Sequence, residues 1–434
     1  MSRLLNFLFI CMLLLPVIAQ AQETLTLEQA IAKALEKNYD IRISDVTAQQ
    51  AKTNNTWGNA GLLPSVNGTA GANAASSNAD IEFVDGTHQV RNGAQSYGYS
   101  GGLTASWTVF AAGRVYLVKK QLSKLQQISE VQLKAQVQAT ISQVIQTYSL
   151  VVYNQQQLMA IDTAIELAKA RMDLSQAKFE IGTSAKVDYL QGRVDYNASR
   201  SQSLAQDAAL ETARASLNAL MGEDETKTYA VEDSLLLNLA LQPTDKDLLR
   251  ERNLSLSAAR RTVELGQIET RIARTFLLPT LNLNGGYTYN YTHSQSGQLV
   301  YNRSYGPTGS AALNIPIFQG GNLRRQVKIA SLQAMNDQLT YERQSTQLGS
   351  QYRSAWKAYE VAVSTYALEE ESIAYARENL DIQEARFKVG IATSIELREA
   401  ENSYVQALAR KYTAAYNVKI NETRVLELES KLAQ

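Results

Sequence analysis

Glu396 and Glu399 are the residues whose type and spacing best suit work on charge. They lie three apart, so on a helix both carboxylates share one face. Carboxylates so grouped would attract cations and repel anions, and their crowding would raise their pKa values. Each residue has a plainer reading as well. Thr393 stands three residues before Glu396, the spacing of a capping box, and Glu399 would otherwise sit on a solvated helix face. Elsewhere the chain sets out no covalent or metal chemistry. Its only histidines, His88 and His293, fall in predicted loops, and its one cysteine, Cys11, lies in an N-terminal apolar run. Two histidines without a cysteine give no metal-ligand spacing. There is no nucleophile–base pair, phosphate loop or zinc motif. No cofactor or metal is expected, and the chain is not read as an enzyme.

The elements that carry these residues come in two copies. Leu62-Leu63-Pro64 recurs as Leu277-Leu278-Pro279, 215 residues on. Trp107-Thr108-Val109-Phe110 with Gly113 recurs as Ile315-Pro316-Ile317-Phe318 with Gly321, and Lys178-Phe179-Glu180-Ile181-Gly182 as Arg386-Phe387-Lys388-Val389-Gly390, both 208 residues on. The difference of 7 falls in a hairpin loop, where insertions are tolerated. Self-similarity at a fixed spacing signals a repeated structural unit.

Residues 114–181 contain neither Gly nor Pro, and the matching 322–389 contain only Gly349. Apolar residues recur at helical spacing, as in Val137, Ile141, Val144, Tyr148 and Val151. Each stretch would form a helix of about 100 Å, too long for a compact globular domain. Shorter helices are predicted from Thr26 toward Leu62 and from Thr244 toward Leu277, with Gln29 and Asp247 completing capping boxes. Two more are predicted over 185–221 and 393–428, after glycine turns at Gly182 and Gly390. Two short helices end to end match one long helix in length, which implies a cylindrical wall. The linker 222–243 and the C-terminus would then meet at mid-height. Tyr352, Tyr359 and Tyr366 recur every seven residues on one helix side, read as interhelical packing.

Between the helices lie two hairpins, about 65–109 and 280–317. Leu281, Leu283, Tyr287, Tyr289 and Tyr291 alternate with Asn and Thr, and Leu313 and Ile315 continue the pattern on the partner strand. Tyr97, Tyr99, Leu103 and Trp107 do the same in the first copy. This is the period of a half-buried strand. Apolar residues on one face, polar ones on the other and aromatics toward the loop also suit an outer-membrane barrel whose outer face meets lipid. Four strands cannot close a membrane barrel. Two copies would give eight, with a largely filled interior, and three would give twelve around an axis.

Export fits this picture. Arg3, the apolar run from Leu4 to Ile18 and Ala19-Gln20-Ala21 read as a signal peptide over 1–21. Ile10 before Cys11 argues against lipid attachment. The 434 residues carry 42 basic and 42 acidic side chains, so no basic excess marks a nucleic-acid partner. No later stretch holds 18 consecutive apolar residues, so no membrane-spanning helix is expected.

Taken together, the duplicated Leu-Pro lead-in to a hairpin, the Phe-x-x-Gly ends (Phe110 to Gly113, Phe318 to Gly321) and the Phe-x-x-Gly turns followed by an acidic residue resemble the TolC family of outer-membrane efflux factors. The resemblance covers essentially the whole chain after the signal. It implies a mostly α protein with a small β part: a homotrimer with a 12-stranded barrel, four strands per chain, continued by a long α-helical barrel built from two internal repeats, 22–221 and 244–434. It implies an outer-membrane location with most of the mass in the periplasm. The function implied is a passive exit duct of a tripartite efflux or type I secretion system, working with a periplasmic adaptor and an inner-membrane pump. Phe179, Gly182, Thr183, Phe387, Val389, Gly390 and Ile391 would form the adaptor-docking tip. Glu396, Glu399 and Asp188 would line the periplasmic entrance, where a trimer would bring three copies of each glutamate to the axis, six carboxylates in all. The chain departs at Ala392, where some relatives place an arginine, so a closed-state latch would use Lys186, Arg193 or Arg398, or differ altogether. An exported coiled-coil scaffold would also explain the helices but not the alternating hairpins. An exported hydrolase lacks any residue constellation.

Overall fold

The computed structural model describes residues 24–295 and 299–433. The signal peptide expected over 1–21, with Cys11, lies outside the described residues. In chain order, β1 (Thr24–Leu25) leads into α1 (Leu27–Lys37) and α2 (Tyr39–Asn54). Strands β2 (Ser65–Glu82) and β3 (His88–Phe110) precede α3 (Arg114–Glu180) and α4 (Lys186–Met221). Then come β4 (Ala230–Val231), α5 (Lys246–Arg252), α6 (Leu254–Thr275), β5 (Thr280–Ser294), β6 (Tyr301–Asn314), α7 (Asn322–Lys388) and α8 (Ser394–Leu428). α3 and α7 each hold 67 residues, about 100 Å of helix at 1.5 Å per residue. No helix of the described residues is long and apolar enough to cross a membrane.

The chain divides into two compact units, one formed by residues up to Ile43, Lys134–Asn253 and Thr346 onward, the other by Ser44–Leu133 and Leu254–Ser345. In the first unit, Leu25, Ala30, Ala34, Val144, Tyr148, Val151, Leu210, Leu217, Met221 and Val231 form a buried core. β1 and β4 pair in parallel above it, and Tyr148 Oη donates to the Leu25 carbonyl at 2.9 Å. Burial pushes the Tyr148 hydroxyl up to about 12, so it stays a neutral donor.

The helices predicted from Thr26 and Thr244 each run as two pieces, broken at Asn38 and Asn253. The Asn38 amide donates to the Leu220 carbonyl at 2.9 Å and the Asn253 amide to the Leu428 carbonyl at 3.0 Å. Each asparagine thus satisfies an orphan carbonyl at the end of another helix. The capping box at Thr26 forms as expected. At the second site Asp245 caps α5 instead of Thr244. The Thr244 N–H donates to Tyr352 Oη at 2.7 Å, which itself donates to Glu429 at 2.7 Å. Tyr359 Oη donates to the Asn238 carbonyl at 2.7 Å and accepts from the Leu241 N–H at 3.3 Å. Two of the three evenly spaced tyrosines therefore tether the linker. Among the described residues Tyr366 bonds only to Glu370 on its own helix, at 2.8 Å.

In the second unit the strands form one antiparallel sheet in the order β2-β3-β5-β6. Trp107 Nε1 donates to the Leu62 carbonyl at 2.8 Å, fixing the chain ahead of Pro64. At the central β3–β5 seam a Cβ on Gly286 would stand 2.6 Å from the Leu103 carbonyl oxygen, so that close approach requires glycine. On α6, Gly266 meets Asp337 and Ala334 of α7 in the same way.

Candidate functional site

Two regions gather the residues singled out by sequence, one in each unit. The first is the pair of helix-hairpin turns. Gly182 and Gly390 adopt left-handed φ of 79° and 81°. Thr183 N–H reaches the Lys178 carbonyl at 2.8 Å and Gly182 N–H the Phe179 carbonyl at 3.0 Å. Ile391 and Gly390 repeat this with Arg386 at 2.9 Å and Phe387 at 3.1 Å. Both are Schellman caps, which satisfy the last carbonyls of α3 and α7.

The side chains around these turns differ. Phe179 is 40% exposed, whereas Phe387 is only 5% exposed. Phe387 packs with Leu380, Ala392, Leu397 and Ala400. Lys178 Nζ lies 4.0 Å from the center of its ring and donates to its carbonyl at 2.6 Å. Phe387, expected at the docking surface, is thus a core residue and offers no accessible contact. Ala392, where some relatives were expected to place an arginine, is buried in the same cluster. Val389 and Ile391 are exposed, as expected. Ile181, together with Val187 and Ile395 in the helix starts that follow the turns, extends this exposed apolar set.

Asp188 accepts from Ser184 Oγ at 2.7 Å within its own helix turn. None of Lys186, Arg193 and Arg398 forms an ion pair with it among the described residues. Glu396 completes the capping box with Thr393: the Thr393 N–H donates to Glu396 Oε2 at 2.6 Å, and the Glu396 N–H to Thr393 Oγ1 at 3.2 Å. Those hydrogen bonds hold its carboxyl below the usual carboxylate range. Glu399 is exposed and borders a pocket of about 270 Å³ together with Arg171, Asp195, Arg398 and Glu401. Both acids are exposed, but Glu396 is tied to its cap, whereas Glu399 has no side-chain hydrogen bond or ion pair among the described residues. Sequence reasoning missed the Arg171–Asp195–Glu401 cluster, with Arg171 and Glu401 buried and Asp195 half-buried, whose two acids lie 24 and 230 residues from Arg171 along the chain. Among the described residues no group of His, Cys, Asp and Glu could hold a metal ion.

The second region is the sheet. Its register sets Leu103 opposite Tyr287, Tyr99 opposite Tyr291, Trp107 opposite Leu283, and Leu281 opposite Leu313. Tyr97 and Tyr289 fall on the same face, at 97↔293 and 289↔305. Tyr99 stacks on Tyr291 at 6.0 Å between ring centers, and Tyr289 on Tyr305 at 6.4 Å. Ile315 belongs outside this face, because β6 ends at Asn314, before Pro316. Proline has no N–H to extend the ladder. Both histidines lie in strands, not loops. His293 stacks on Tyr97 at 4.8 Å, and His88 Nε2 stands 2.8 Å from Asp80 at the outer end of the first hairpin. β2 and β6 are each paired on one side only among the described residues.

The sequence profile of the family "Outer membrane efflux protein" matches residues 30–223 and 247–428. The chain is 25% identical to outer membrane protein TolC of Salmonella enteritidis over 268 residues, 59% of this chain and 53% of that protein. The match thus spans about half the length of that relative. It is 22% identical to the proteases secretion protein PrtF of Dickeya chrysanthemi, covering 91% of this chain and 88% of PrtF. Among solved structures, the Campylobacter jejuni CmeC outer membrane channel superimposes with a TM-score of 0.78 at 18% identity, over 93% of this chain and 85% of CmeC.

Proposed function

The chain belongs to the outer membrane efflux protein family, and from that premise we propose that three copies assemble into a passive exit duct for cargo delivered by an inner-membrane pump. It is a protein of the outer membrane, and its relatives are channels rather than enzymes.

One observation carries the proposal: a four-stranded sheet with two free edges and one continuous apolar, aromatic face. Strands of 18, 23, 15 and 14 residues exceed the roughly 9–11 that a tilted strand needs to cross a bilayer. In lipid every edge N–H and C=O must be paired, so the sheet must close. Three copies supply twelve strands and a wet interior lined by the Ser, Thr and Asn face. Tyr97, Tyr99, Leu103, Trp107, Leu281, Leu283, Tyr287, Tyr289, Tyr291 and Leu313 then face lipid. The equal lengths of α3 and α7, and the matching asparagine breaks, support a twofold internal repeat.

The helix hairpins serve as the periplasmic entrance. Their exposed Phe179, Ile181, Val389 and Ile391 suit docking to a periplasmic adaptor. Exposed Glu399, in three copies, gives the entrance its cation preference. The duct passes small molecules or polypeptides, and selection falls to the pump. PrtF is named for protease secretion, which supports the polypeptide arm.

Single-channel recording tests this reading. The assembled protein should conduct with cation selectivity. Glu399→Gln should weaken that selectivity more than Glu396→Gln, whose carboxylate is already committed to its cap. Unchanged selectivity in Glu399→Gln would remove it from the entrance.

A further inference from the structure

Arg171 on α3 is 4% exposed, yet it joins three helices. Its Nε donates to Glu401 Oε2 on α8 at 2.8 Å, and its Nη2 to Asp195 Oδ2 on α4 at 2.8 Å. Its Nη1 is buried without a hydrogen-bond partner among the described residues. Gly192, one turn before Asp195, brings α4 so close to α3 that a Cβ there would stand 3.0 Å from Met172 Cα. The cluster therefore sits where the helices have no slack. One guanidinium faces two carboxylates, Glu401 buried and Asp195 half-buried, so the site carries more negative than positive charge with little water at Glu401. Glu384 on α7 adds to it, while Arg398 and Glu399 of α8 line the adjoining pocket.

We propose that Arg171, Asp195 and Glu401 form a proton-sensitive clamp that positions the first turns of α8, and Glu399 with them, against α3 and α4. The proposal rests on the reading of the hairpin tips as the duct's entrance. With Glu401 protonated, Arg171 and Asp195 balance each other, and the carboxyl oxygen of Glu401 still accepts from Nε. With Glu401 ionised, the buried site holds an uncompensated negative charge, which a slight parting of the helices would hydrate. Burial pushes the Glu401 carboxyl up from 4.5 to about 7; Glu384 and Asp195 add to the push, and Arg171 opposes it only in part. Because the packed-state pKa is the raised one, the stabilisation is complete below about 4.5 and is lost as pH rises through about 7. Proton uptake therefore tightens the clamp, and alkaline pH loosens it.

Hydrogen–deuterium exchange on the assembled protein in detergent, corrected for intrinsic rates, reads the clamp directly. Between pH 5.5 and 8 the protection of the first turns of α8 should fall about tenfold or more, since one pKa unit is a tenfold change in proton affinity. Glu401→Gln should hold the low-pH protection at every pH. Asp195→Asn should move the midpoint to lower pH by removing a neighbouring negative charge. The open-channel conductance of the wild type should be larger at pH 8 than at pH 5.5, and that of Glu401→Gln should not change. A pH-independent wild type, or a pH response that survives in Glu401→Gln, would overturn the clamp. Protection that follows pH as expected in a protein that never conducts would uphold the clamp and defeat the duct reading instead.

Discussion

The two hairpin turns share a backbone and divide their side-chain work. Both end a 67-residue helix with a left-handed glycine and the same pair of Schellman hydrogen bonds. Yet the phenylalanine three residues before the glycine is exposed in one and buried in the other. The helix that follows is also started differently. Thr393 and Glu396 cap α8 reciprocally, whereas Ala185 at the same point of α4 offers no side-chain cap. A duplicated sequence thus preserves what the backbone needs and leaves side chains free to diverge between core and surface.

The largest test of that contrast is truncation of the two phenylalanines. Phe387→Ala should destabilise the protein by about 3 kcal/mol, the cost of a buried aromatic plus its cavity. Phe179→Ala should cost under about 1 kcal/mol, a surface effect, when denaturant midpoints are compared. Equal losses would end the distinction. The turn glycines should instead behave alike. Among the described residues nothing lies within 4 Å of a Cβ at Gly182 or Gly390, so an alanine at either would meet only the left-handed strain, about 1 kcal/mol. Clearly unequal losses in thermal unfolding would mean that the two turns differ in backbone after all. Capping effects come next: Thr393→Ala should cost about 1 kcal/mol, and Ala185→Ser should gain somewhat less, about 0.5 kcal/mol. The smallest effect is one of pH. The Glu396 carboxyl is held below its ordinary value by its cap, so its contribution is present above the unfolded pKa of about 4.5 and fades as pH falls through the lower folded value. Below about pH 4.5, where Glu401 is already protonated, amide exchange at the start of α8 should therefore speed up relative to the start of α4. A parallel response in both helices would contradict this.

Much of the fold was legible because it rests on local rules. Proline-free runs with at most one glycine marked α3 and α7, alternation marked the strands and their two faces, and single glycines placed the helix-hairpin turns. What escaped notice depends on partners far along the chain. Asn38 and Asn253 break their helices by reaching Leu220 and Leu428, and nothing local to either asparagine reveals a carbonyl more than 170 residues distant. Their recurrence at the repeat spacing was the available signal. Phe387 could not be told from Phe179 without knowing that Lys178 and Leu380 pack around it. Of the candidate site, the acidic pair was legible by spacing, and the capping box correctly warned that Glu396 is engaged. Arg171, Asp195 and Glu401 each look like a solvated charge on a helix face until three helices converge.

The central claim is that three copies close the open sheet into a duct. It is tested most directly by measuring the mass of the purified, detergent-solubilised protein together with its planar-bilayer conductance. The account predicts a trimer with a small, cation-selective conductance. A stable monomer or dimer that carries no current would contradict it.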